Sequence, residues 1–421
     1  MNIEKSVKQL KVLICSCTYP SPDSKYEGTF VANWAEQLQA NGIDIKVYKR
    51  DHLTFGSYLK SYKRVVNFYT QPRVFEYNWQ GVSICRQGIH LRFPLNYSKI
   101  APKLTYKQMK PVIYKIYKEF PFDLIYLATW GDLSLSMSWI ANEMGIPYTA
   151  SAIGDHTNLY YDKPDSIYYK HHREIFLGSE LVICVSDDLN KKAKILTDGK
   201  AKTITFYSGV DTEKFKSKPG LRYEYRNKLE YSNEDFVILF VGRLTQSKGI
   251  FDLLNAFARL SKKYPTIKLL MVGPLFDEKK VKKMIREEGL QRSVRLVGAV
   301  GHTDIPGYMN ASDVFVLPSW MEGLPNVVME ACACERPVIA SAVGGIPEII
   351  ENRNTGFLVP PKSSIDIAEK LELIIKAPFK ASEIAKKGRQ KMIETFNYQK
   401  NGSLLFNHLQ KVISDYAIQK K

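Results

Sequence analysis

Short apolar runs alternate with amphipathic segments along nearly the whole chain, and this alternation constrains the fold more than any other feature. The run KVLICSCTYP at 11–20 is followed by FVANWAEQLQANG, where Val31, Trp34, Ala35 and Leu38 follow helical spacing. The first run has the length and apolar character of a strand, and the second segment has the period of a helix. The chain therefore opens with a strand, a polar loop and a helix.

The second half of the chain repeats this beginning. FVILFVGRL at 236–244 precedes GIFDLLNAFARLSKKYP, which places Phe251, Leu254, Phe257 and Ala258 on one helical face. Further apolar runs follow the same alternation: DIKVY, DLIYLA, YTASAI, LVICVS, TITFY, IKLLMVG, VRLVG, DVFVLPS, PVIASA and GFLVP. Nearly continuous apolar runs are typical of parallel strands buried on both faces. The sequence predicts two doubly wound, Rossmann-like α/β domains facing a central cleft.

Composition and spacing also predict the domain limits. We expect a first domain at 1–215 and a second at 216–397, because the segment at 213–235 is charged and contains a Pro-Gly pair. We expect 398–421 to form a helix that crosses back to the first domain. The apolar positions of that helix are Leu404, Leu405, Leu409, Val412 and Ile413.

The chain is basic, with a formal net charge of +17, and the excess is local. Residues 57–120 contain twelve lysines and arginines, two acidic residues and thirteen aromatic residues. Interleaved rings and cations suit an anionic membrane surface or a nucleic acid. The alternative is an ordinary solvated face, which keeps a protein soluble.

The sequence shows no targeting signal for export or for membrane insertion. The opening MNIEKSVKQL lacks the apolar core of a signal peptide, and no run of 18 apolar residues occurs. We therefore expect a cytoplasmic protein.

The six cysteines form no CxxC pair, so we expect buried, reduced thiols and neither a metal site nor disulfides. They are Cys15, Cys17, Cys85, Cys184, Cys332 and Cys334.

Open α/β sheets bind ligands at the carboxyl ends of their strands, so the loops there are the candidate site. RLTQSKG, after the run at 236–242, places Arg243 and Lys248 before a helix. An arginine fork, a lysine point charge and helix amides can together neutralise a diphosphate. Two surface cations are the alternative interpretation.

The loop after DVFVLPS contains two carboxylates eight residues apart in EGLPNVVME. Glu322 lies before the predicted helix, and Glu330 lies on the face of Asn326, at i, i+4. We expect Pro325 in the first helical turn. This spacing places Glu322 in the loop and Glu330 deeper, where it can hold paired hydroxyls. A carboxylate near a helix start is also simply stabilising.

A third loop, AVGGIPEII, contains Gly344-Gly345, which allows close backbone approach, and then Glu348. The sequence has no GxGxxG or Walker motif and no DxD pair to hold a metal on a diphosphate. We therefore expect no cofactor and no metal, because two basic side chains can replace the metal.

Four segments of the chain resemble the family 4 retaining glycosyltransferases of the GT-B fold. They are EGLPNVVMEACACERPVIASAVGGIPEIIENRNTGFLVPP, VGRLTQSKG, SGVDTEKF and YMNASDVFVLPS. The similarity covers nearly all of the predicted second domain. In the first domain it depends on ANGIDIKVY and CVSDDLNKKA.

The resemblance implies a donor site for a nucleotide diphosphate sugar, most simply a UDP-sugar. Arg243 and Lys248 would bind the diphosphate beside Gly242, and Glu330 would hold the ribose. The base would lie near Val300. Glu322 would face the transferred sugar, together with backbone groups at Gly323, Leu324, Asn326 and Val327.

The sequence departs from the family pattern at three places. KYEGTFVANW has Gly28 alone where relatives have a glycine pair, and Glu335 stands where a helix commonly ends in glycine. SAIGDHTNLYY has Ile153 in the position of a cleft histidine. We expect Gly28 and Asp155 to contact the acceptor and His156 to contact the sugar or acceptor.

The sequence thus predicts retaining, metal-independent transfer of a hexosyl or N-acetylhexosaminyl group to a hydroxyl of a growing glycan. The acceptor would be a glycan or a polyprenyl diphosphate-linked molecule, in cell-surface polysaccharide assembly. The basic aromatic segment at 57–120 would dock on the anionic inner membrane face. Two alternatives come from other classes: a nucleotide-sugar epimerase, and a nucleic-acid binder suggested only by charge.

Overall fold

The computed structural model describes residues 9–51, 74–88 and 101–420, with Asp155 and His156 described by their backbone alone. The chain divides into two compact units. Unit 1 comprises Met1–Val185, Leu189–Phe206 and Gly402–Lys421, and unit 2 comprises Ser186–Asp188 and Tyr207–Asn401.

The described strands of unit 1 form one eight-stranded sheet in the order β3-β4-β2-β1-β5-β6-β7-β8. They are β1 (Lys11–Ser16), β2 (Asp44–Arg50), β3 (Val74–Trp79), β4 (Val82–Gln87), β5 (Leu124–Leu127), β6 (Tyr148–Ala152), β7 (Leu181–Cys184) and β8 (Thr203–Thr205). The neighbouring strands are parallel except β3, which runs antiparallel to β4. The helices of this half are α1 (Thr29–Ala40), α2 (Ala101–Glu119), α3 (Asp132–Met144), α4 (Asp155–Tyr160), α5 (Ile167–Gly178) and α6 (Asp187–Leu196).

Unit 2 contains a six-stranded sheet in the order β11-β10-β9-β12-β13-β14. Its strands, all parallel to their neighbours, are β9 (Phe236–Val241), β10 (Ile267–Val272), β11 (Val294–Gly298), β12 (Val314–Leu317), β13 (Val338–Ser341) and β14 (Phe357–Val359). The helices are α7 (Pro219–Lys228), α8 (Ile250–Ser261), α9 (Glu278–Glu287), α10 (Ile305–Ala311), α11 (Asn326–Ala333), α12 (Ile346–Ile349), α13 (Ser364–Lys376) and α14 (Pro378–Glu394).

These two sheets confirm the prediction of two doubly wound, Rossmann-like α/β domains. In both units the first strand lies inside the sheet and later strands extend to either side of it, which is the doubly wound order. The strands are buried as expected: β5, β7, β12 and β13 have no exposed residue. Since each fully buried aliphatic side chain contributes roughly 1.5–3 kcal/mol, these central strands account for much of the core.

The basic aromatic segment contains a hairpin and a helix. Residues 57–73 and 89–100 lie outside the described part of the chain. The described residues include the β3–β4 hairpin, which turns at Gln80 and Gly81 with positive φ at both positions. They also include α2, which continues through Pro111. The face of α2 with Met109 and Ile113 is buried, and α2 packs against α3.

The charged segment at 213–235, near which we expected the domain boundary, contains regular structure. It contains α7, whose Arg222 and Arg226 bind the carboxylate of Asp313, at 2.7 and 3.3 Å. Unit 2 begins at Tyr207, and Val210 forms a bridge with Asn397. The two arginines hold α7 to the residue that precedes β12.

The last described helix, α15, spans Tyr398–Gln419, as its apolar spacing predicted. Its residues from Gly402 onward belong to unit 1. Ser403 Oγ donates to Asn41 Oδ1 at 2.8 Å, so the helix contacts the end of α1. Leu405 and Leu409 are buried, but Leu404 is 48% exposed and does not belong to the buried face.

All six cysteines are free, and all are buried except the half-buried Cys17. Burial raises the pKa of Cys85 to about 11 and the pKa values of Cys184 and Cys332 to about 12. These thiols therefore stay protonated at neutral pH, as expected for core residues. Among the described helices, none combines the length and apolar character needed to cross a bilayer.

Candidate functional site

Three loops at the carboxyl edge of the unit 2 sheet are joined to one another. The loop after β12 bonds to the loop after β9, because Trp320 N donates to Ser247 O at 2.9 Å. It also bonds to the loop after β13, because Gly345 N donates to Gly323 O at 2.7 Å. The predicted site loops of unit 2 thus lie together and hold each other in place.

Two glycines make this close approach possible. Gly249 has φ of 70°, and a Cβ there would lie 2.0 Å from Pro318 O. Gly344 has φ of 53°, and a Cβ there would lie 2.1 Å from Glu322 O. Any larger residue would collide with backbone as well as adopt a strained conformation. The backbone approach predicted for the glycine pair is therefore an approach to the Glu322 loop.

Lys248 and Glu322 form an ion pair at the centre of these loops. Lys248 Nζ donates to Glu322 Oε1 at 2.6 Å, and the two side chains are 17% and 8% exposed. A charge-assisted bond of this length is stronger than a neutral one. Arg243 lies in the same loop as Lys248 and is exposed. The structure thus joins a predicted phosphate ligand to a predicted sugar ligand.

The helix α11 begins directly after the Glu322 loop. Gly323 and Leu324 are buried, whereas Asn326 and Val327 are half-buried. Pro325 has extended backbone and is the N-cap, so it precedes the first turn in which we expected it. The amides of the first helical residues have no intrahelical acceptor, so the helix start can donate to an anion.

Glu330 lies within α11 and is 4% exposed. His302 Nε2 lies 2.8 Å from Glu330 Oε1, and Lys214 Nζ lies 3.2 Å from His302 Nδ1. Sequence reasoning identified Glu330 but missed His302 and Lys214. The one available signal was the position of His302, two residues beyond Val300 in the loop after β11.

Gly242 and Val300 flank the ends of adjacent strands. Gly242 N donates to Val272 O at 2.9 Å, and a Cβ on Gly273 would lie 1.9 Å from Gly242 O. The ends of β9 and β10 are therefore tightly packed at Gly242. Val300, in the loop after β11, is half-buried. Both residues lie at the sheet edge that carries the other predicted donor ligands.

Glu348 accepts hydrogen bonds from backbone amides. Its carboxylate oxygens accept from Asp187 N at 2.8 Å and Asp188 N at 3.0 Å, at the first turn of α6. Tyr207 Oη also donates to it, at 3.0 Å. Glu348 therefore accepts from the amides of the two residues with which α6 begins, and these residues belong to unit 2, as Glu348 does.

Unit 1 places the predicted acceptor residues after β1 and β6. Gly28 is the N-cap of α1 with φ of 67°, and a Cβ there would lie 2.4 Å from Thr18 C. Gly28 thus allows close packing of the β1 loop. Asp155 and His156 begin α4 after β6, and their side chains lie outside the described part of the chain.

The comparison with protein families concerns the half of the chain that carries these joined loops. Residues 222–391 match the family model described as "Glycosyl transferases group 1". These residues form a glycosyl transferases group 1 domain. The group 1 domain contains Lys248, Glu322, His302 and Glu330, whereas Lys214 precedes the matched range.

Several proteins are similar over longer stretches. The putative teichuronic acid biosynthesis glycosyltransferase TuaC of Bacillus subtilis is 26% identical over 414 residues, covering 96% of this chain and 99% of TuaC. The capsular polysaccharide biosynthesis glycosyltransferase CapM of Staphylococcus aureus is 32% identical over 229 residues, covering 52% of this chain and 58% of CapM.

Solved structures share the fold of the whole chain. Sucrose-phosphate synthase from Thermosynechococcus elongatus superposes with a TM-score of 0.76 at 20% identity, covering 97% of this chain and all of that one. Anabaena HepE in complex with UDP-glucose superposes with a TM-score of 0.72 at 20% identity, covering 96% and 100%. The protein therefore has two Rossmann-like units that match those of GT-B glycosyltransferases.

Proposed function

We propose that this protein transfers a sugar from a nucleotide diphosphate sugar to a hydroxyl of a glycan or lipid-linked acceptor in cell-surface polysaccharide assembly. The ion pair between Lys248 and Glu322, 2.6 Å apart among the joined loops of the group 1 domain, carries the proposal. The names of TuaC and CapM support the polysaccharide assignment. The UDP and UDP-glucose bound in HepE structures favour a uridine nucleotide.

The leaving diphosphate is stabilised electrostatically in this proposal. Arg243, Lys248 and the amides at the start of α11 would donate to it as the bond to the sugar breaks. Each preorganised donor of this kind lowers a barrier by roughly 3 kcal/mol. These two cations supply the charge that a metal would otherwise provide, so we propose metal-independent transfer with no resident cofactor.

The Lys248–Glu322 pair has two roles in the proposed cycle. Glu322 accepts from the ammonium of Lys248 and holds it in place. The incoming diphosphate offers Lys248 a more highly charged partner, since phosphate oxygens accept strongly from ammonium groups. Glu322 is then released to accept from hydroxyls of the transferred sugar. Glu330 would hold the ribose, and the backbone near Val300 would contact the base.

We propose that the anomeric configuration is retained. The leaving phosphate would take the proton of the acceptor hydroxyl on the face of the sugar that it vacates, so no side chain has to form a covalent bond to the sugar. Asp155 and His156 are proposed to contact the acceptor or the sugar. Gly28 has a packing role, so its proposed contact with the acceptor would be through backbone.

The direct test uses UDP-, GDP- and ADP-sugars with a polyprenyl diphosphate-linked acceptor. We expect one nucleotide class to be consumed, and only when acceptor is present. NMR of the product should give the same anomeric configuration as the donor. Donor conversion without acceptor would instead indicate an epimerase, and inversion of the anomeric centre would refute the retaining mechanism.

We also propose that the protein is cytoplasmic and docks on the anionic inner face of the membrane through α2. Lys103, Lys107 and Lys118 are exposed and, by helical spacing, lie on one side of α2, roughly opposite its buried face. Leu104, next to them, is 54% exposed. Lys110 is less suitable, because it forms an ion pair with Glu143 at 2.5 Å.

Vesicle sedimentation tests this docking surface. Changing Lys103, Lys107 and Lys118 to serine should weaken binding to phosphatidylglycerol vesicles at least tenfold at low salt, since each surface lysine contributes about 1 kcal/mol. The matched control changes three exposed lysines of α9 to serine: Lys279, Lys280 and Lys283. Equal binding by the two triple variants would refute a role for α2.

A further inference from the structure

Three polar side chains from separate segments form a continuous chain that ends inside the group 1 domain. Lys214 Nζ lies 3.2 Å from His302 Nδ1, and His302 Nε2 lies 2.8 Å from Glu330 Oε1. Lys214 comes from the loop before α7, His302 from the loop after β11, and Glu330 from α11. We call this arrangement the Lys214–His302–Glu330 chain.

Two members of the Lys214–His302–Glu330 chain, Lys214 and His302, are held by neighbouring groups. The carboxylate of Asp211 accepts from the amides of Glu213 and Lys214, at 2.9 and 3.0 Å, which holds the Lys214 loop as a tight turn. The His302 ring packs near the Phe215 ring, with centroids 5.4 Å apart. The imidazole is therefore held by a ring contact and by a polar contact at each nitrogen.

These contacts determine the tautomer of His302. A lysine ammonium only donates, so Nδ1 must be the accepting nitrogen of a neutral imidazole. The proton is then on Nε2, which donates to Glu330 Oε1. Lys214 thus selects the form of His302 that binds Glu330, much as an outer partner orients a histidine that ligates a metal.

The Lys214–His302–Glu330 chain uses only one oxygen of the Glu330 carboxylate, so the other can accept from a ligand. Oε2 is buried, and it has no hydrogen-bond partner among the residues that the structure describes. A buried carboxylate oxygen without a donor is costly, by roughly 1–3 kcal/mol or more for a charged group. A hydroxyl donor from a ligand would remove this cost.

We propose that His302 is a positioning residue for the donor nucleotide. By holding Glu330 Oε1, it presents Oε2 to the vicinal hydroxyls of a ribose, and Lys214 maintains the tautomer that does so. This inference depends on the proposed function, in which Glu330 binds the ribose of a nucleotide sugar. It adds two residues that determine whether the site prefers a ribonucleotide.

The test compares a ligand that has the hydroxyls with one that lacks them. Calorimetry on the full chain measures the dissociation constants of UDP and of 2′,3′-dideoxy-UDP, with the GDP and ADP pairs run in parallel. We expect wild-type protein to bind one ribonucleotide about tenfold or more tightly than its dideoxy form, because hydrogen bonds to charged groups are worth about 1.5–3 kcal/mol.

The variants separate positioning from folding. His302→Leu should reduce that ratio to about one to three while the dideoxy nucleotide binds as in wild type, because the loss is confined to the hydroxyl contacts. His302→Gln, whose amide can still donate to Glu330, should restore most of the ratio. His408→Leu, a change to another half-buried histidine in α15, is the matched control and should keep the full ratio.

Kinetics give a second measurement that a purely structural role would not reproduce. With the preferred donor sugar, His302→Leu should raise KM about tenfold and change kcat by less than about threefold, because ribose contacts are made in the ground state as well. Lys214→Met should act in the same direction with a smaller effect.

The outcomes distinguish this inference from the proposed function. If His302→Leu keeps the wild-type ratio of ribonucleotide to dideoxynucleotide affinity, His302 does not position Glu330. The same conclusion follows if His302→Leu fails to fold and His302→Gln binds the two nucleotides equally well. A wild-type protein that binds a nucleotide without regard to its ribose hydroxyls also refutes the inference. If wild type binds no nucleoside diphosphate, the proposed function is wrong and the inference with it.

Discussion

Each unit places a lysine at the carboxyl edge of its sheet, and the two lysines have different environments. Lys49, at the end of β2 in unit 1, is 2% exposed and donates to the backbone carbonyl of Tyr19 at 2.8 Å. Lys248 in unit 2 is 17% exposed and donates to the carboxylate of Glu322. Burial lowers the pKa of Lys49, with the nearby Asp51 opposing that shift.

This difference separates a structural cation from the one that we propose to be functional. Lys49 holds the loop after β1 and cannot exchange its partner without leaving a buried carbonyl unpaired. Lys248 is accessible, and its carboxylate partner can be replaced by a phosphate. The same side chain on the same kind of sheet edge therefore serves the fold in unit 1 and the proposed reaction in unit 2.

The largest expected effect is on Lys248. Lys248→Ala should lower the rate of sugar transfer at least about a hundredfold, because it removes a donor to the leaving diphosphate. Glu330→Ala should instead raise KM for the donor at least about tenfold, because the proposed ribose contacts are made in the ground state as well. Lys262→Ala, an exposed lysine just beyond α8, is the matched control and should transfer normally. If Lys248→Ala has the wild-type rate of transfer and an unchanged circular dichroism spectrum, Lys248 does not take part in the reaction.

The second prediction concerns the glycine that lets the unit 2 loops meet. Gly344→Ala should lower the free energy of unfolding by about 2–3 kcal/mol, because the new Cβ meets Glu322 O. The rate of sugar transfer should fall about tenfold. Gly289→Ala is the control: Gly289 has φ of 68° but open space around it, so only the backbone strain of about 1 kcal/mol remains. Equal unfolding curves for the two variants would show that the contact is unimportant.

The third prediction applies the same steric change to unit 1. Gly28→Ala should also lower the free energy of unfolding by about 2 kcal/mol, since its Cβ meets Thr18 backbone, but should leave nucleotide binding unchanged. Gly199→Ala, at φ of 70° in open space, reports the strain alone. Loss of nucleotide affinity in Gly28→Ala would contradict the assignment of donor binding to unit 2.

The smallest effect is expected at Lys49. Lys49→Met should lower the free energy of unfolding by only about 1 kcal/mol, because the lost hydrogen bond is partly offset by removal of a buried charge. Chemical denaturation measures this, and calorimetry should give an unchanged dissociation constant for the donor nucleotide. If Lys49→Met lowered the rate of sugar transfer a hundredfold, the proposal that only Lys248 serves the reaction would be wrong.

Much of the fold was predictable because parallel strands buried on both faces leave a simple sequence signal. β9, β12 and β13 appear as short apolar runs, and α15 appears as a helical period. The hairpin of β3 and β4 was missed because its outer strand is half-exposed and rich in polar residues. The helix α7 was not predicted within 213–235, because charge alone does not reveal that Arg222 binds Asp313.

The sequence could suggest candidate site residues only where they lie in a short motif, and it could not suggest their contacts. Arg243, Lys248, Glu322 and Glu330 lie in two such motifs. The pairing of Lys248 with Glu322 joins residues 74 positions apart, and the contact of Lys214 with His302 joins residues 88 apart. Contacts at such separations depend on how the strands are ordered in the sheet, which no single segment of sequence specifies.

The central claim is that the joined loops of unit 2 bind a nucleotide chiefly through its diphosphate. Calorimetry with UDP and with uridine, on wild type and on Lys248→Ala, tests it most directly. The account predicts that wild type binds UDP at least about a hundredfold more tightly than uridine, and that Lys248→Ala loses most of this difference. Equal affinity of the wild-type protein for UDP and uridine would contradict it.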